Sequence, residues 1–395
     1  MSRILIWSPN YAPEPTGIPP LVTDAAEWLS GNEHVVDVVT AVPNYPERRI
    51  HDGYRGVLSR TELRNGVHVH RSWLRARPER SFLDKALYEA TISTFALPNA
   101  IRAARNADVI VCVVPTVLSA RYAATLSRAF KKRLVLWVQD LVLNAAQSVD
   151  AGPTASHALA FAQRLERGAV VAADRVVVCS SGFGDYLCRY GLASDKIETI
   201  HNWADLDAIR PRATNENGDR PHFLYAGNLG YTQGFATLIE AARLEGGVSV
   251  QIVGAGNAAE EVRSLADGVP NVTVREPVER SAYPDLVTSA HVHLVLQRRI
   301  SAGANLPSKI ATSLASGRPI IGSIDAETPA AELLRKSGAA ILVEPESPRA
   351  LAVAMRDLAT NPELRAAMGE QGRAFAEEHL AKEPALRRLE AAILG

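Results

Sequence analysis

Short unbroken runs of Val, Ile and Leu alternate along the chain with stretches of helical periodicity. Parallel strands buried on both faces read this way, because neither face is left for polar side chains. In the first half the pattern predicts strands at Ile4–Trp7, Val35–Thr40, Val67–Arg71, Val109–Val114, Leu134–Val138 and Val176–Ser180. Amphipathic helices fall between them, at Leu21–Leu29 and Ala155–Val171 among others. The second half repeats the rhythm, with strands at Phe223–Ala226, Val248–Val253, Val272–Arg275, Val292–Leu296, Pro319–Ile321 and Ala340–Val343. Its helices read at Phe235–Ala242, Ala258–Leu265, Lys309–Ala315, Ala330–Lys336 and Pro348–Thr360. Asn361 and Pro362 open another helix, as cap and first helical residue.

Between the two series runs Ile200–Arg212, followed by the polar stretch Thr214–Pro221, which is linker chemistry. The expectation is an α/β chain of two doubly wound, Rossmann-like domains, 1–204 and 205–375, with a helical tail over 376–395 packing back on the first domain. Two such domains facing each other enclose a central cleft, and ligands of such sheets bind beyond the carboxyl ends of the strands.

Composition agrees with this reading and removes others. The chain has 395 residues, 47% hydrophobic and 22% charged, which suits two globular domains. Lys plus Arg and Asp plus Glu both number 43, so there is no basic excess to draw nucleic acid. Three cysteines, Cys112, Cys179 and Cys188, form no disulfide framework and no zinc spacing, which fits a reduced, cytoplasmic protein. The apolar run from Ile4 stops at Ser8-Pro9, too short for a leader or a membrane span. His68/His70 and His291/His293 alternate on strands, but no third metal ligand lies near either pair.

The loops after the strands hold the candidate chemistry. After the first strand comes Tyr11-Ala12-Pro13-Glu14-Pro15-Thr16-Gly17, then a helix. Glycine there lets a ligand approach the backbone, and a helix N-terminus favours an anion; a plain turn is the alternative. The second domain opens with Gly227-Asn228-Leu229-Gly230-Tyr231-Thr232-Gln233-Gly234, a candidate phosphate cradle, and Gly254-Ala255-Gly256 follows its next strand. The segment Arg298–Lys309 carries three cations and runs into a helix, so it suits a diphosphate or, equally simply, a solvated basic loop. Asp140 ends a buried strand, where a carboxylate either handles a sugar hydroxyl or caps the next helix. Asn202 and Trp203 sit at the interdomain crossing, where hinge and polar-network roles are expected.

These pieces, in this order, resemble the family-four retaining glycosyltransferases of GT-B fold, and among them the subgroup building capsule, colanic-acid and O-antigen sugars. The carriers are Tyr11–Ile18, Val42-Pro43-Asn44-Tyr45-Pro46, Trp137–Leu141, His201-Asn202-Trp203, Ala226–Gly230, Leu306–Lys309 and Ala315–Pro319. The resemblance implies that Gly17 and Thr16 face the donor diphosphate. Gly227, Asn228, Gly230 and Gln233 would form the donor loop, and Arg275 to Val278 would lie by the nucleobase. Arg298, Ser308 and Lys309 would hold the phosphates. Asp140 takes the place of a catalytic-site histidine. Two features depart from the family: Asn228 and Gln233 stand where relatives carry Arg and Lys, and the E-x-x-x-x-x-x-x-E signature is missing, its second glutamate falling at Thr312.

The implied activity is transfer of a sugar from a nucleoside diphosphate, UDP favoured, to an acceptor hydroxyl with retention, without a metal or other cofactor. The acceptor would be a sugar, a polyprenyl-linked glycan or a small molecule. Arg71, Arg75, Arg77, Arg80 and Lys85, interleaved with Trp73, Leu74, Phe82, Leu83, Leu87 and Phe95, suggest peripheral contact with the inner membrane face through Arg71–Arg105. A GT-B-like nucleotide-sugar epimerase and a silent sugar-nucleotide binder remain the competing readings.

Overall fold

The computed structural model describes residues 1–15, 17–46, 48–77, 82–141, 153–212, 220–299 and 306–395, with side chains omitted for 82, 83, 85 and 153–159. Thr16, Arg80, the side chains of Phe82, Leu83 and Lys85, residues 214–219 of the linker and residues 300–305 of the basic segment lie outside the described residues. The chain divides into two compact units, Met1–Ile200 with Leu386–Gly395, and His201–Ala385.

In unit 1 the strands are β1 (Arg3–Trp7), β2 (Val35–Ala41), β3 (Ser59–Arg64), β4 (Val67–Ser72), β5 (Val109–Val114), β6 (Arg133–Val138), β7 (Arg175–Val178) and β8 (Ile197–Thr199). They form one sheet in the order β3-β4-β2-β1-β5-β6-β7-β8. Every pairing is parallel except β3 with β4. The centre is apolar because it is covered on both faces: all six residues of β5, Val-Ile-Val-Cys-Val-Val, are buried. The edge hairpin strand β3, Ser-Arg-Thr-Glu-Leu-Arg, is almost wholly exposed, and its polar sequence gave no strand signal.

Helices α1 (Ile18–Gly31), α2 (Phe82–Asn106), α3 (Val117–Phe130), α4 (Pro153–Ala172) and α5 (Ser181–Arg189) follow the strands. The final helix α13 (Lys382–Leu394) anchors its end in this unit. Glu390 accepts from Trp28 Nε1 at 2.7 Å and Asn32 Nδ2 at 2.8 Å, and meets His34 Nε2 at 3.0 Å. His34 Nδ1 already accepts from Ser2 N, so Nε2 carries the proton that bonds Glu390.

Unit 2 holds strands β9 (His222–Ala226), β10 (Ser249–Val253), β11 (Val272–Arg275), β12 (Val292–Leu296), β13 (Ile320–Ser323) and β14 (Ala340–Val343). Their order is β11-β10-β9-β12-β13-β14, all parallel. Helices α6 (Phe235–Leu244), α7 (Ala259–Ala266), α8 (Tyr283–Ser289), α9 (Lys309–Ala315), α10 (Pro329–Ser337), α11 (Pro348–Thr360) and α12 (Pro362–His379) complete it. Asn361 caps α12 by accepting from Leu364 N at 2.9 Å, with Pro362 first in the helix.

Both sheets reverse direction of growth once, between β1 and β5 and between β9 and β12. Such a switch point leaves the loops on either side diverging, and that gap is where doubly wound sheets take ligands. The loops after β1 and after β9 are the ones the sequence marked by glycine.

Candidate functional site

In unit 1 the loop after β1 ends at Gly17, which is exposed and sits at φ 79°, ψ −131°, a conformation restricted to glycine. A Cβ there would lie 3.4 Å from the Tyr45 ring. Helix α1 begins directly behind, but its N-terminus is poorer in donors than its position suggests. Pro19 and Pro20 lack N–H groups, so the first turn offers a dipole with few hydrogens to give.

At the end of β6, Gln139 is buried and its Nε2 has no partner. Asp140 is half-buried, and its Oδ1 accepts from Leu141 N at 2.8 Å. Burial, with the added negative charge of Asp140, pushes the neighbouring Cys179 thiol up to about 12. On the adjacent strand end, Ser180 starts α5 without a side-chain cap bond, and its buried hydroxyl has no partner.

In unit 2 the two glycine turns are packed together. Gly227 N donates to Val253 O, Leu229 N to Ala255 O and Ala258 N to Leu229 O. A side chain on Gly254 would collide with the carbonyl of Gly227, so glycine is required for this approach. Gly230 N donates to Gln233 Oε1 at 2.9 Å, and Gln233 Nε2 to Thr232 Oγ1. Gln233 therefore shapes the loop through its own side chain. Asn228 is exposed, and its carbonyl accepts from Tyr225 OH at 2.8 Å.

Lys309 opens α9 and folds back under this turn. Its Nζ lies 3.3 Å from the centroid of the Tyr225 ring and 3.3 Å from where a Cβ on Gly227 would stand. The residue as a whole is half-buried, but the ammonium nitrogen is shielded from solvent and has no hydrogen-bond partner among the described residues. Burial holds its pKa well below the usual lysine value.

The two arginines are placed otherwise. Arg298 Nε bonds Glu346 Oε1 at 3.1 Å and Arg299 Nη2 bonds Glu344 Oε1 at 2.6 Å, both pairs exposed. The basic segment thus arrives with its arginines already neutralised from the end of β14. Glu346 holds φ 60°, a left-handed conformation that an L side chain adopts at a cost. Ser308 is exposed and makes no cap bond.

Arg275 has an exposed side chain and spends its carbonyl on Gly254 N at 3.0 Å. Val278 packs beside the cluster of Leu224, Ala226, Val253 and Ala290. At the position of the missing signature glutamate, Thr312 Oγ1 lies 3.2 Å from Tyr283 OH and donates to Lys309 O. Asn202 Oδ1 is buried without a partner.

Of the basic stretch expected to face lipid, Arg71 is fully buried. It bonds Glu62, the Ala12 carbonyl at 2.5 Å and the Ala41 carbonyl, so it braces the β1 loop from below. Arg75 pairs with Asp84. Burial removes Arg71 from the cations that could face lipid, and Arg75 is half-buried in its ion pair.

The residue that sequence reasoning left without a role is Glu14. It is buried and accepts from four N–H groups of the loops after β1 and β2. A glutamate between two prolines was the available signal. Among the described residues no cluster of three or more His, Cys, Asp and Glu is arranged to hold a metal ion.

Two parallel Rossmann-like sheets, each with a glycine-bearing loop at its switch point, define the GT-B class of fold. Comparison with known proteins agrees. Residues 16–203 match the glycosyl transferase 4-like domain, and residues 208–375 match glycosyl transferases group 1. The chain belongs to this glycosyltransferase family and is a glycosyltransferase. It is 30% identical over 410 residues to the putative colanic acid biosynthesis glycosyl transferase WcaI of Escherichia coli (strain K12), covering 98% of both. The structure is similar to Anabaena Alr3699/HepE in complex with UDP and glucose, with TM-score 0.73, 13% identity and full coverage of both chains. It is also similar to sucrose-phosphate synthase from Thermosynechococcus elongatus, with TM-score 0.73, 18% identity and 98% of both chains covered.

Proposed function

We propose that this enzyme transfers a sugar with retention from a UDP-sugar to an acceptor hydroxyl, in the assembly of a cell-surface polysaccharide or glycoconjugate, without a metal. The observation that carries the proposal is Lys309: a shielded ammonium group with no hydrogen-bond partner among the described residues, set against the glycine turn at the switch point of unit 2. A buried unpaired cation is costly, and an incoming diphosphate relieves that cost. The relative named for colanic acid biosynthesis and the solved complex with UDP and glucose support the pathway and donor.

In this reading Gly227, Asn228, Gly230 and Gln233 form the donor loop, with Arg275 to Val278 beside the base. Lys309 and Ser308 meet the phosphates, and Arg298 exchanges Glu346 for them. Gly17 and Thr16 face the donor diphosphate, and Asp140 orients the acceptor. The bond from the anomeric carbon to the diphosphate breaks as the bond to the acceptor oxygen forms on the same face. The departing phosphate oxygen takes the acceptor's proton, and positive charge and N–H groups stabilise it.

The acceptor is a sugar carried on a polyprenyl lipid or a small molecule. The protein works in the cytoplasm, with α2 touching the inner membrane face. A panel of nucleotides and UDP-sugars, read by calorimetry with and without EDTA, tests the donor reading. Preference for a uridine donor, unaffected by EDTA, is expected. Epimerisation of a UDP-sugar in the absence of any acceptor, or binding without turnover toward any acceptor, overturns the proposal.

A further inference from the structure

Glu14 is 3% exposed, and its carboxylate serves only as an acceptor. Oε1 takes Asn10 Nδ2 at 3.0 Å, Asn44 N at 2.8 Å and Tyr45 N at 2.7 Å; Oε2 takes Tyr11 N at 3.1 Å. No ion pair joins it to a described cation: the nearby Arg71 is committed to Glu62 and to main-chain carbonyls, and Arg48 lies over the Tyr88 ring, 3.7 Å from its centroid. Withdrawing a carboxylate from water without a counter-charge is expensive, and neutral donors compensate only in part. A turn needs no such group, since serine, asparagine or glycine closes turns at less cost.

What the carboxylate joins explains its presence. Its four bonds run to two separate loops, the one after β1 that ends at Gly17 and the one after β2 that carries Asn44 and Tyr45. Tyr88 OH donates to Asn44 Oδ1 at 3.1 Å and fixes the second loop from the side of α2. Arg71 fixes the first from below. The outcome of this bracing is that the Tyr45 ring rests against Gly17.

We infer that Glu14 is a positioning residue: by clamping the loops after β1 and β2 together, it sets the Tyr45 ring against Gly17 and so shapes the surface at Gly17 that meets the donor sugar. The inference rests on the reading of Gly17 as a donor-facing residue. It requires acceptors on both carboxylate oxygens. Glu14→Gln places an NH2 against at least one main-chain N–H, and Glu14→Asp keeps the charge but shortens the reach by one methylene.

The test uses the full chain labelled with 3-fluorotyrosine, with the Tyr45 fluorine resonance assigned through Tyr45→Phe. In Glu14→Gln that resonance is expected to move toward its position in the urea-unfolded chain, while the Tyr225 resonance of unit 2 stays. Glu390→Ala loosens unit 1 elsewhere and is expected to leave Tyr45 unmoved, which separates positioning from general destabilisation. Addition of UDP-glucose is expected to shift Tyr45 in the wild type. Glu14→Gln should lose most of that shift while UDP affinity, read at Tyr225, stays within about twofold. A Tyr45 resonance unmoved in Glu14→Gln overturns the inference. Should Glu14→Gln fail to fold, Glu14→Asp replaces it, and an unmoved Tyr45 there overturns the inference equally. If Glu14→Gln displaces Tyr45 but UDP-glucose leaves wild-type Tyr45 unmoved, the clamp stands and the donor-facing reading of Gly17 falls.

Discussion

The ammonium group of Lys309 lies 3.3 Å from the centre of the Tyr225 ring, and that ring is its sole polar compensation among the described residues. The ring's own hydroxyl is turned to the Asn228 carbonyl, so cation, aromatic face and donor loop form one unit. A cation on an aromatic face is worth about 2 kcal/mol when desolvated, and a hydrogen bond to a charged group adds about 1.5–3 kcal/mol. Lys309→Met is expected to weaken UDP binding by about 1.5–3 kcal/mol, roughly ten- to a hundredfold in Kd. Arg298→Ala, whose side chain is exposed and already paired, should cost less. Burial lowers the Lys309 pKa and a bound diphosphate raises it again, so UDP binding should take up protons. Calorimetry in buffers of different ionisation enthalpy reads that uptake, and it should vanish in Lys309→Met. Proton uptake unchanged by the substitution would place the responsible group elsewhere.

One carboxylate oxygen of Asp140 accepts from Leu141 N, a bond that asparagine can keep. Asp140→Asn should therefore fold with a nearly normal melting temperature and bind UDP with nearly normal affinity. Turnover should fall steeply, by tenfold or more, if the carboxylate orients the acceptor or shares its proton, since acid–base assistance contributes about 10²–10⁴-fold. A variant with wild-type turnover would reduce Asp140 to a loop-closing residue.

The sheets were legible in the sequence where burial is two-sided. Val109–Val114 is apolar throughout because strands lie on both sides and helices on both faces. Ser59–Arg64 was not legible, because an exposed edge strand takes its conformation from the hairpin partner and carries no apolar alternation. The glycine turns at Gly17 and Gly227 were legible as turns, because glycine between a strand and a helix marks a tight connection. The electrostatics were not. The pairing of Arg298 with Glu346 spans 48 residues, and the shielding of Lys309 depends on Tyr225 from another strand. The basic segment read as a row of free cations, and folding leaves one of them waiting and two satisfied. Arg71 misled in the same way: a cation beside large apolar residues suits a bilayer surface, and it equally suits the underside of a loop with carbonyls to bind.

His293 gives unit 2 a pH dependence of definite sign. The ring is buried, and Nε2 lies 3.0 Å from the Val287 carbonyl and 3.0 Å from Ser316 Oγ. Burial, helped by the nearby charges of Arg318, His222 and Lys309, lowers its pKa from the ordinary 6.5 to about 3. The unfolded chain binds a proton below pH 6.5 and the folded chain does not, so stability is lost as pH falls from 6.5 toward 3. One proton corresponds to about 1.4 kcal/mol per pH unit. Glu14 acts oppositely in unit 1. Its pKa is raised from the ordinary 4.5 to about 7, chiefly by burial, so it contributes stability at low pH that is lost as pH rises through 7. The two are separated by substitution. Unfolding followed from pH 7 to 4 should show a shallower loss for His293→Asn than for the wild type. Parallel curves would mean that His293 is protonated in the folded protein.

Membrane contact is left with a smaller patch than the sequence offered, and this sets the strength to expect. Arg71 is sealed beneath the β1 loop and Arg75 is paired with Asp84, which leaves Arg77 exposed ahead of α2 among the described cations. On α2 itself Leu87 is 37% and Phe95 44% exposed, two turns apart, and the Phe95 ring packs edge-on against Trp73. A basic residue near an anionic surface adds about 1 kcal/mol, and two partly inserted apolar side chains add a few more at most. No helix among the described residues is long and apolar enough to cross the bilayer. The expected outcome is weak, reversible flotation with phosphatidylglycerol-rich liposomes at low salt. Half or more of the protein should be released at high salt, because the Debye length falls to about 3 Å at 1 M. A Leu87→Glu, Phe95→Glu double variant should lose the binding that salt leaves behind, since it removes the apolar contact and adds like charge to an anionic surface. Wild-type protein that stays at the bottom of the gradient even at low salt would turn the acceptor assignment toward a soluble molecule. A lipid-linked acceptor requires the enzyme to spend time where the lipid is.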